Sequence, residues 1–469
     1  MKTIRAYGVK WHLKDEELAE VLPKTVFEDK ERRGYSVIGY KEKKVFIKFF
    51  REKGVYASLR NKFSPRGERE YKLGDKLINM SVLTPNPLGY GLAEEGSYVI
   101  QEHIDGKTFI DKFFQSEDRV GLLNKLADLL SLLKLNKVRH NDLHLNNIII
   151  HDGMLYIIDL HKMRIKKSFT VEDEVSNISH AITMLYDDLE EAEKKGFFER
   201  YGFTEIRSPV ENEMKRMRGV WIRNKMKRAF ENTSKISVAG DCLFIAGMEN
   251  KAKGNNVIRL LKEDRKTRVE VYEDHVRKQY RDKRRLEKAW KNHVALLYLN
   301  MDVAPRTYYV RLPVMTSRGY IAMEDLTGSG EELDRYLDRN YDVMSESDKR
   351  NFVDRLSSFF IGLLKGWVIH RDLKACNVFV QEDGGFRLLD VEDIIFAEAD
   401  ERAMIKMLVQ MNTTVPLRIA ARDRIRFFVR LTAPFKTNRR RILDDVLKES
   451  LKTDIVYEGV AGLKIEHWK

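Results

Sequence analysis

Two similar eight-residue strings, one in each half, constrain the fold of this chain more than any other feature. HNDLHLNN occupies residues 140–147, and HRDLKACN occupies residues 370–377. Each string is followed by a short apolar run, a glycine-containing turn, a second apolar run and an aspartate, Asp159 in the first copy and Asp390 in the second. A repeat of domain length indicates a tandem duplication and not a solenoid of short units. The chain of 469 residues is long enough for two domains.

The sequence upstream of the two strings extends the repeat. A charged, helix-like stretch, REYKLGDKLINMSV, leads into Pro85, and its counterpart, EKAWKNHVALLYLNMDV, leads into Pro305. In the first half, GYSVIGYKEKKVFIKFF shows the alternation of a strand hairpin with a Lys-Glu turn. We therefore predict an α+β fold with two tandem protein-kinase-like bilobal domains, each with a small β-rich N-lobe and a helical C-lobe. With the boundary placed beside Pro209, the predicted domains span residues 1–210 and 211–469.

The acidic and amide residues of the repeat suit phosphoryl transfer. That reaction needs an oriented hydroxyl nucleophile and compensation of the charge on the phosphates. An aspartate in a rigid loop can accept the hydroxyl proton, while an asparagine at the exit of that loop and an aspartate after the hairpin can hold Mg²⁺. We predict bases and metal ligands in both halves: Asp142 and Asp372 as catalytic bases, and Asn147, Asp159, Asn377 and Asp390 as metal ligands.

The alternative to this interpretation is an Asp- and Asn-rich turn that caps a helix. Such a turn does not require a second aspartate at a fixed distance. Here the loop aspartate is followed by a strand-terminal aspartate at nearly the same spacing in both copies, from Asp142 to Asp159 and from Asp372 to Asp390. The recurrence therefore favours the catalytic interpretation.

Nucleotide phosphates also need a strand lysine that is held by a helix glutamate. Lys48 is the one cation in the apolar run VFIKFF, and Glu70 lies in the following helix-like stretch, with Glu68 as a nearby alternative. The backbone from Glu102 to Ile104 is predicted to contact adenine. No GxGxxG string precedes the lysine, so contacts to the phosphates are expected from the turn DKERRG, residues 29–34.

The second half offers a weaker lysine–glutamate pair. Its matching strand, NNVIRLLKED, places Arg259 at the lysine position, with Lys262 as the other candidate. Ala289 falls where the first half has its glutamate, with Glu287 nearby. Arginine does not simply replace lysine as a compact phosphate contact. The sequence thus predicts that Arg259 contacts ATP but leaves nucleotide binding by this half open.

Composition limits the partners and the location. The net charge of +13 favours an anionic partner, and basic residues cluster at 215–228, 265–285 and 421–441. The last two clusters interleave apolar residues with arginine, which suits amphipathic helices at a membrane surface or on an anionic glycolipid. No zinc finger, RNA-recognition motif or basic zipper is present, which disfavours nucleic acid. Two cysteines, no long apolar run and no signal-peptide pattern predict a cytoplasmic protein.

The two halves resemble bacterial lipopolysaccharide core kinases, which include heptose kinases and Kdo (3-deoxy-manno-octulosonic acid) kinases, and more distantly RIO-type kinases. The resemblance is carried by REYKLGDKLINMSVLTPNPLGYG, HNDLHLNNIII, YIIDLHKMR, HRDLKACN, LLDVED and LVQMNTTVPLRIAARDRIRFF. It implies a phosphotransferase with an alcohol acceptor, ATP and Mg²⁺ as cofactors, and a sugar or anionic glycolipid as the acceptor. It also implies the base, metal and lysine–glutamate roles given above, whereas Arg259 and Ala289 depart from the family pattern.

A protein-kinase function is disfavoured because no A-P-E string follows either metal-site aspartate. Little sequence remains for a peptide-binding platform, which favours a small hydroxyl acceptor. The basic clusters would then hold an anionic glycolipid at the inner face of the cytoplasmic membrane. Three alternatives stay open: one active domain beside a glycolipid-binding pseudokinase domain, an atypical RIO-like protein kinase, and a scaffold of two pseudokinases.

Overall fold

The computed structural model describes residues 1–22, 33–52, 63–314, 318–435 and 437–468, with Arg33 described in its backbone only. The chain divides into two compact units: the first unit, Met1–Arg216, and the second unit, Met217–Lys469. Both units have a sheet-rich part followed by a helical part. The predicted order of β-rich and helical regions is therefore confirmed.

The first unit begins with a six-stranded antiparallel sheet. The strands are β1 (Lys2–Ala6), β2 (Val9–Leu13), β3 (Arg33–Tyr40), β4 (Lys43–Arg51), β5 (Pro87–Ala93) and β6 (Gly96–Glu102). They lie in the order β1-β2-β5-β6-β4-β3. The predicted hairpin is β3 and β4, which are joined at Lys41 and Glu42, both with positive φ. Val45 and Ile47 on β4 are buried against Trp11 and Leu13 on β2, in one sheet core.

One helix follows β4 and packs on this sheet. It is α1 (Arg66–Asn79), which begins after Pro65, a residue with the preset φ that suits a helix start. Gly67 in its first turn lies so close to the sheet that a Cβ there would sit 2.1 Å from the carbonyl oxygen of Tyr98. Glycine at this point therefore permits the close approach that brings the next helical turn, with Glu70, over β4.

The helical part of the first unit surrounds a second core. Its helices are α2 (Phe109–Gln115), α3 (Arg119–Leu135), α4 (Val171–Ile182), α5 (Glu191–Tyr201) and the first part of α6 (Arg207–Lys227), which continues past the unit boundary at Arg216. Its short strands are β7 (Lys107–Thr108), β8 (Val138–His140), β9 (Ile148–His151), β10 (Met154–Ile157) and β11 (Met163–Ile165). Leucines dominate α3, and Leu126 and Leu133 are fully buried. Burial of such side chains stabilises the fold by about 1.5–3 kcal/mol each. The same core includes Leu143 and Leu145, which anchor the loop between β8 and β9.

The second unit begins with a seven-stranded antiparallel sheet. The strands are β12 (Ile236–Ala239), β13 (Cys242–Ile245), β14 (Val257–Glu263), β15 (Thr267–Tyr272), β16 (Val276–Tyr280), β17 (Thr307–Arg311) and β18 (Tyr320–Met323). Their order is β12-β13-β17-β18-β16-β15-β14. In the first sheet the N-terminal hairpin β1–β2 pairs through β2 with β5, the first strand after α1. In the second sheet the hairpin β12–β13 pairs through β13 with β17, which also follows a helix. The second sheet has one further strand, β14, at its far edge.

The rest of the second unit is mainly helical. Its helices are α7 (Lys283–Tyr298), α8 (Leu333–Asn340), α9 (Glu346–Lys365), α10 (Glu401–Asn412), α11 (Ala421–Thr432) and α12 (Arg439–Ser450). Its strands are β19 (Gly330–Glu332), β20 (Val368–His370), β21 (Val378–Gln381), β22 (Phe386–Leu388), β23 (Ile394–Phe396), β24 (Ile455–Gly459) and β25 (Gly462–Glu466). A core that includes Phe360, Leu388 and Leu431 supports the loop between β20 and β21.

Two sequence-based expectations about local structure are wrong. Residues 265–285 form β15, β16 and the start of α7, not an amphipathic helix, because valines and tyrosines alternate there with charged residues at the strand period. Pro209 is not a break, because it lies in the first turn of α6, where proline is tolerated. The cluster at 421–441 does form helices, α11 and the start of α12.

Within the described ranges, none of the helices is both long enough and apolar enough to cross a membrane.

Candidate active site

A buried lysine joins three elements of the first unit. Lys48 on β4 donates to both carboxylate oxygens of Glu70 on α1, at 3.1 Å each, and also contacts the carboxylate of Asp159. The Lys48 and Glu70 side chains are only 5% and 1% exposed. Charges buried to this extent are costly unless they are paired, so the three groups depend on one another. The structure thus brings together three residues that the sequence assigned to nucleotide and metal binding.

Burial and pairing set the ionisation of this cluster. Burial alone would lower the pKa of Lys48, but the two carboxylates outweigh it and raise that pKa. Burial raises the pKa of Glu70. The positive charge of Lys48 opposes this rise but does not cancel it, because Lys48 also pairs with Asp159. For Asp159, burial is outweighed by His161 and Lys48, which hold its pKa well below the usual range. Asp159 is therefore a firmly ionised carboxylate.

Asp159 lies shortly after β10, with its backbone in the left-handed region at φ 62°. A non-glycine residue in this region is strained and is often found at functional sites. His161, two residues later, places Nδ1 2.6 Å from an Asp159 oxygen. Ligand atoms of Glu70, Asp159 and His161 all lie within 4.8 Å of one another, so these side chains could hold a metal ion.

The loop between β8 and β9 holds the predicted base. The amide nitrogen of Asn147 donates to the carbonyl oxygen of Asp142 at 2.9 Å, and the backbone NH of Asp142 lies 3.1 Å from Nδ1 of His140. Lys162 donates to the Asp142 carboxylate at 2.6 Å. Burial would raise the pKa of Asp142, but the hydrogen bond from Lys162 outweighs it and leaves that pKa below its ordinary value. Asp142 is therefore an ionised group in a fixed loop.

The donor set of the first unit fits Mg²⁺ and nucleotide phosphates. Mg²⁺ prefers oxygen ligands, and Asp159 supplies a carboxylate. The nitrogen of the Asn147 amide is fixed by Asp142, which leaves the amide oxygen for a cation. Lys48 supplies a positive charge beside that carboxylate. Asn147 and Asp159 would hold the metal ion, whose charge would compensate that of the phosphates.

The predicted adenine contacts lie where the chain leaves the first sheet. Glu102 is the last residue of β6, and Ile104 lies in the link to β7. The backbone NH of Glu102 donates to Asn86, so a purine would have to use other backbone groups of this link. Their role in ATP binding stays a prediction. Of the turn predicted to contact the phosphates, residues 29–32 and the Arg33 side chain lie outside the described residues.

The second unit repeats the loop geometry. The Asn377 amide nitrogen donates to the Asp372 carbonyl oxygen at 2.7 Å, as Asn147 does to Asp142. Asp390 follows β22 and has φ 50°, again in the left-handed region. The cation beside the predicted base differs, because Asp372 pairs with Lys374, two residues further along its own loop, at 3.2 Å.

Arg259 does not occupy the lysine position of the second unit, and this prediction is wrong. Arg259 lies on the exposed edge strand β14, opposite Val271. The residue that contacts Asp390, the predicted metal ligand, is Lys278 on β16, whose Nζ lies 2.5 Å from an Asp390 oxygen. Lys262, the other candidate, is close enough to help lower the pKa of Asp390. In sequence, β14 resembles β4 more than β16 does, because β14 is the more apolar of the two strands.

Sequence spacing could have identified Lys278. Its offset from Lys48 along the chain equals the offset that separates Asp372 from Asp142 and Asn377 from Asn147. The surrounding string, VRKQY, lacks the apolar flanks of VFIKFF, so local composition does not distinguish Lys278. The second carboxylate beside Lys278 is Glu392, at 2.9 Å. Glu392 does not lie on a helix that corresponds to α1, so the position of Glu70 does not predict it.

Together, the strand lysine, the loop aspartate with its asparagine, and the aspartate after the hairpin form the residue set that kinase-like phosphotransferases use. Residues 18–201 match a protein-family model described as the Lipopolysaccharide kinase (Kdo/WaaP) family. Over these residues the first unit is therefore similar to this family, as its sequence indicated. The match ends before the second unit begins. No curated protein matches the chain at a significant level.

Proposed function

We propose that this protein is an ATP-dependent kinase that phosphorylates sugar hydroxyls, on heptose or Kdo, of the lipopolysaccharide inner core. The observation that carries the proposal is the buried contact of Lys48 with Glu70 and Asp159, beside a fixed and ionised Asp142. The family match to residues 18–201 supports a lipopolysaccharide kinase. ATP and the inner-core sugar are the proposed substrates, with Mg²⁺ as the metal.

Each residue of the first unit has a distinct role in the proposed reaction. Asp142 accepts the proton of the sugar hydroxyl, whose oxygen forms a bond to the γ-phosphorus of ATP while the bond to the bridging oxygen of ADP breaks. Lys48 contacts the phosphates, and Glu70 holds Lys48 in position. Asn147 and Asp159 would hold the metal ion, which would supply compensating positive charge. Lys162 keeps Asp142 ionised, since against the effect of burial it holds the pKa of that carboxyl below its usual range.

The proposal includes two tandem kinase-like domains, residues 1–210 and 211–469. Three correspondences support it. Both units have an N-terminal hairpin at the same place in the sheet, a lysine on the strand before the helix, and the same amide-to-carbonyl contact in the loop. Lys278 also provides the phosphate-binding lysine that the second unit would lack if Arg259 stood in its place. This weakens the case for a pseudokinase role of the second unit.

The surroundings of the site favour a small hydroxyl acceptor. α4 begins at Val171, soon after Asp159, which leaves little chain for a peptide-binding segment. Exposed arginines at the start of α12, residues 439–441, provide positive charge for an anionic glycolipid. We therefore propose that the protein acts in the cytoplasm, in peripheral contact with the inner face of the cytoplasmic membrane.

Phosphate transfer from γ-labelled ATP to purified inner-core glycolipid tests the proposal. The full-length protein should incorporate label, and Asp142→Asn together with Asp372→Asn should abolish it. Asp152→Asn is the matched control, since Asp152 is an exposed residue of the β9–β10 turn. Mass spectrometry of the product would identify the phosphorylated sugar. Full incorporation by the double variant, or label transfer to protein in place of glycolipid, would contradict the proposal.

A further inference from the structure

The two units hold the lysine of the site with carboxylates from different elements. In the first unit, the second carboxylate beside the lysine is Glu70, on the helix α1. In the second unit it is Glu392, in the short turn after Asp390, at 2.9 and 3.0 Å from Lys278. The Glu392 side chain is 2% exposed, and that of Glu70 is 1% exposed. Both carboxylates are therefore buried beside a lysine that also contacts an aspartate.

The exchange is reciprocal. Two residues after the metal-site aspartate, the first unit has His161 where the second has Glu392. On the helix, the second unit has Ala289 at the position of Glu70, and one turn later the buried His293, an electrostatic neighbour of Glu392 and Lys278. In the first unit His161 is likewise an electrostatic neighbour of Glu70. The acid is thus on the helix in the first unit and in the turn in the second, whereas the imidazole is in the turn in the first unit and on the helix, one turn beyond the Glu70 position, in the second.

Several groups fix Glu392 in the position that it occupies. Tyr280 donates its hydroxyl to Glu392 at 3.2 Å, and Arg285 donates to the same carboxylate at 3.2 Å. The amide of Asn292 on α7 donates to the carbonyl oxygens of Val391 and Ile394, at 2.8 and 3.0 Å, on either side of Glu392. A buried carboxylate with this many donors is held in one geometry.

We infer that the second unit is a Mg-nucleotide site in its own right, in which Glu392 replaces the helix glutamate as the residue that positions Lys278 toward the phosphates. This inference rests on the proposed kinase function and extends it to a unit beyond the family match. Asn377 and Asp390 would hold the metal ion, as Asn147 and Asp159 would in the first unit. Because Glu392 belongs to the same turn as Asp390, the lysine anchor of this site does not depend on a helix side chain.

Binding of Mg²⁺ with the non-hydrolysable analogue adenylyl imidodiphosphate to the full-length protein tests the inference. Isothermal titration calorimetry should give two sites in the wild-type protein and one in Lys48→Met. In Lys48→Met with Glu392→Gln, the remaining site should bind at least about tenfold more weakly, because a charged partner of the phosphate-binding lysine is lost. Lys48→Met with Glu287→Gln is the matched control, since Glu287 lies on α7 and pairs with Lys283. It should bind as Lys48→Met does.

A second ligand separates positioning from folding. Adenosine has no phosphates, so it should bind equally to the Lys48→Met proteins with and without Glu392→Gln. In the single variant Glu392→Gln, the first site should keep its affinity, and Glu392→Asp should retain part of the affinity of the second site. Weakened adenosine binding equal to that of the nucleotide would assign Glu392 a structural role and overturn the inference.

The failures of the two proposals are distinguishable. A wild-type protein with a single site that Lys48→Met removes would overturn the second nucleotide site and leave the proposed function of the first unit intact. Two sites that both survive Lys48→Met would overturn the assignment of the first unit, and with it the proposed function. Unchanged nucleotide affinity in Lys48→Met with Glu392→Gln would overturn the role of Glu392 alone.

Discussion

The first and second units agree at the loop and differ at the lysine anchor. In both, an asparagine amide closes the loop onto the carbonyl oxygen of the predicted base, and a lysine contacts the aspartate after the hairpin. The carboxylate that completes the anchor comes from α1 in one unit and from the turn at Glu392 in the other. The position of charge in the buried site is therefore retained, while the element that supplies it is exchangeable.

The largest expected effect falls on the predicted bases, where the two units should behave alike. Asp142→Asn removes the proton acceptor of the first unit and should lower its turnover by about 10²–10⁴-fold. Asp372→Asn should do the same for the second unit if that unit also transfers phosphate. Rates measured with labelled ATP, together with mass spectrometry of the phosphorylated positions, separate the two. Asp142→Asn with undiminished phosphate at every position would contradict the assignment.

The lysine anchors should differ in stability. Glu392→Gln should destabilise the second unit by about 3 kcal/mol, because breaking a buried ion pair leaves charge without its partner. Glu70→Gln should cost the first unit less, because burial already raises the pKa of Glu70, whereas Lys278 holds the pKa of Glu392 low against burial. Urea unfolding of the full-length variants at pH 7 measures both costs. A larger cost for Glu70→Gln would break the comparison.

Each unit should also lose stability in acid through one buried histidine. Burial lowers the pKa of His140 and of His293 to about 4. Because the folded pKa lies below the unfolded value near 6.5, each contribution is present above about pH 6.5 and is lost as the pH falls toward 4. At pH 5 the loss should be about 2 kcal/mol for each residue. Urea unfolding at pH 7 and pH 5 should show a smaller difference in His140→Gln than in the wild-type protein, and an equal difference would refute this origin.

The smallest effect should come from the cations beside the bases. Lys162→Met removes the hydrogen bond that lowers the pKa of Asp142, so that pKa should rise. Since Asp142 must be ionised to accept a proton, the acid limb of the rate–pH profile of the first unit should move to higher pH by less than about one unit, because both side chains are partly exposed. Lys374→Met, beside Asp372, is the matched variant and should leave the profile of the first unit unchanged.

The sequence predicted the parts of the site that lie close together in the chain. The base, the asparagine and the second aspartate are near neighbours along the chain in each copy, and a hairpin fixes their relation. Lys48 and Glu70 were identified because an apolar run and a helix pattern surround them, and they do meet in the structure. Their roles in binding ATP stay predictions until binding is measured.

The rest depends on strand register and long-range packing. Local apolarity favours Arg259, but Arg259 lies on the extra edge strand β14, two strands away from β16, which carries Lys278. Glu392 meets Lys278 from a distant part of the chain, and nothing in its local pattern distinguishes it from an exposed acidic residue. The repeat instead predicts a partner for the second lysine on the helix, where the first unit has Glu70. A carboxylate that moves from the helix to the turn can be recognised only when the positions of both elements in the structure are known.

The left-handed backbone at the two aspartates predicted to bind metal limits how each site can lose its function and remain folded. Asp159 and Asp390 have φ values of 62° and 50°, which asparagine and glycine tolerate and most other residues do not. An alanine there would add about 1–2 kcal/mol of backbone strain to the loss of the carboxylate. A homologue that keeps only the binding function should therefore have asparagine or glycine at these positions more often than any other replacement. The same two replacements would separate chemistry from folding most cleanly in engineered variants.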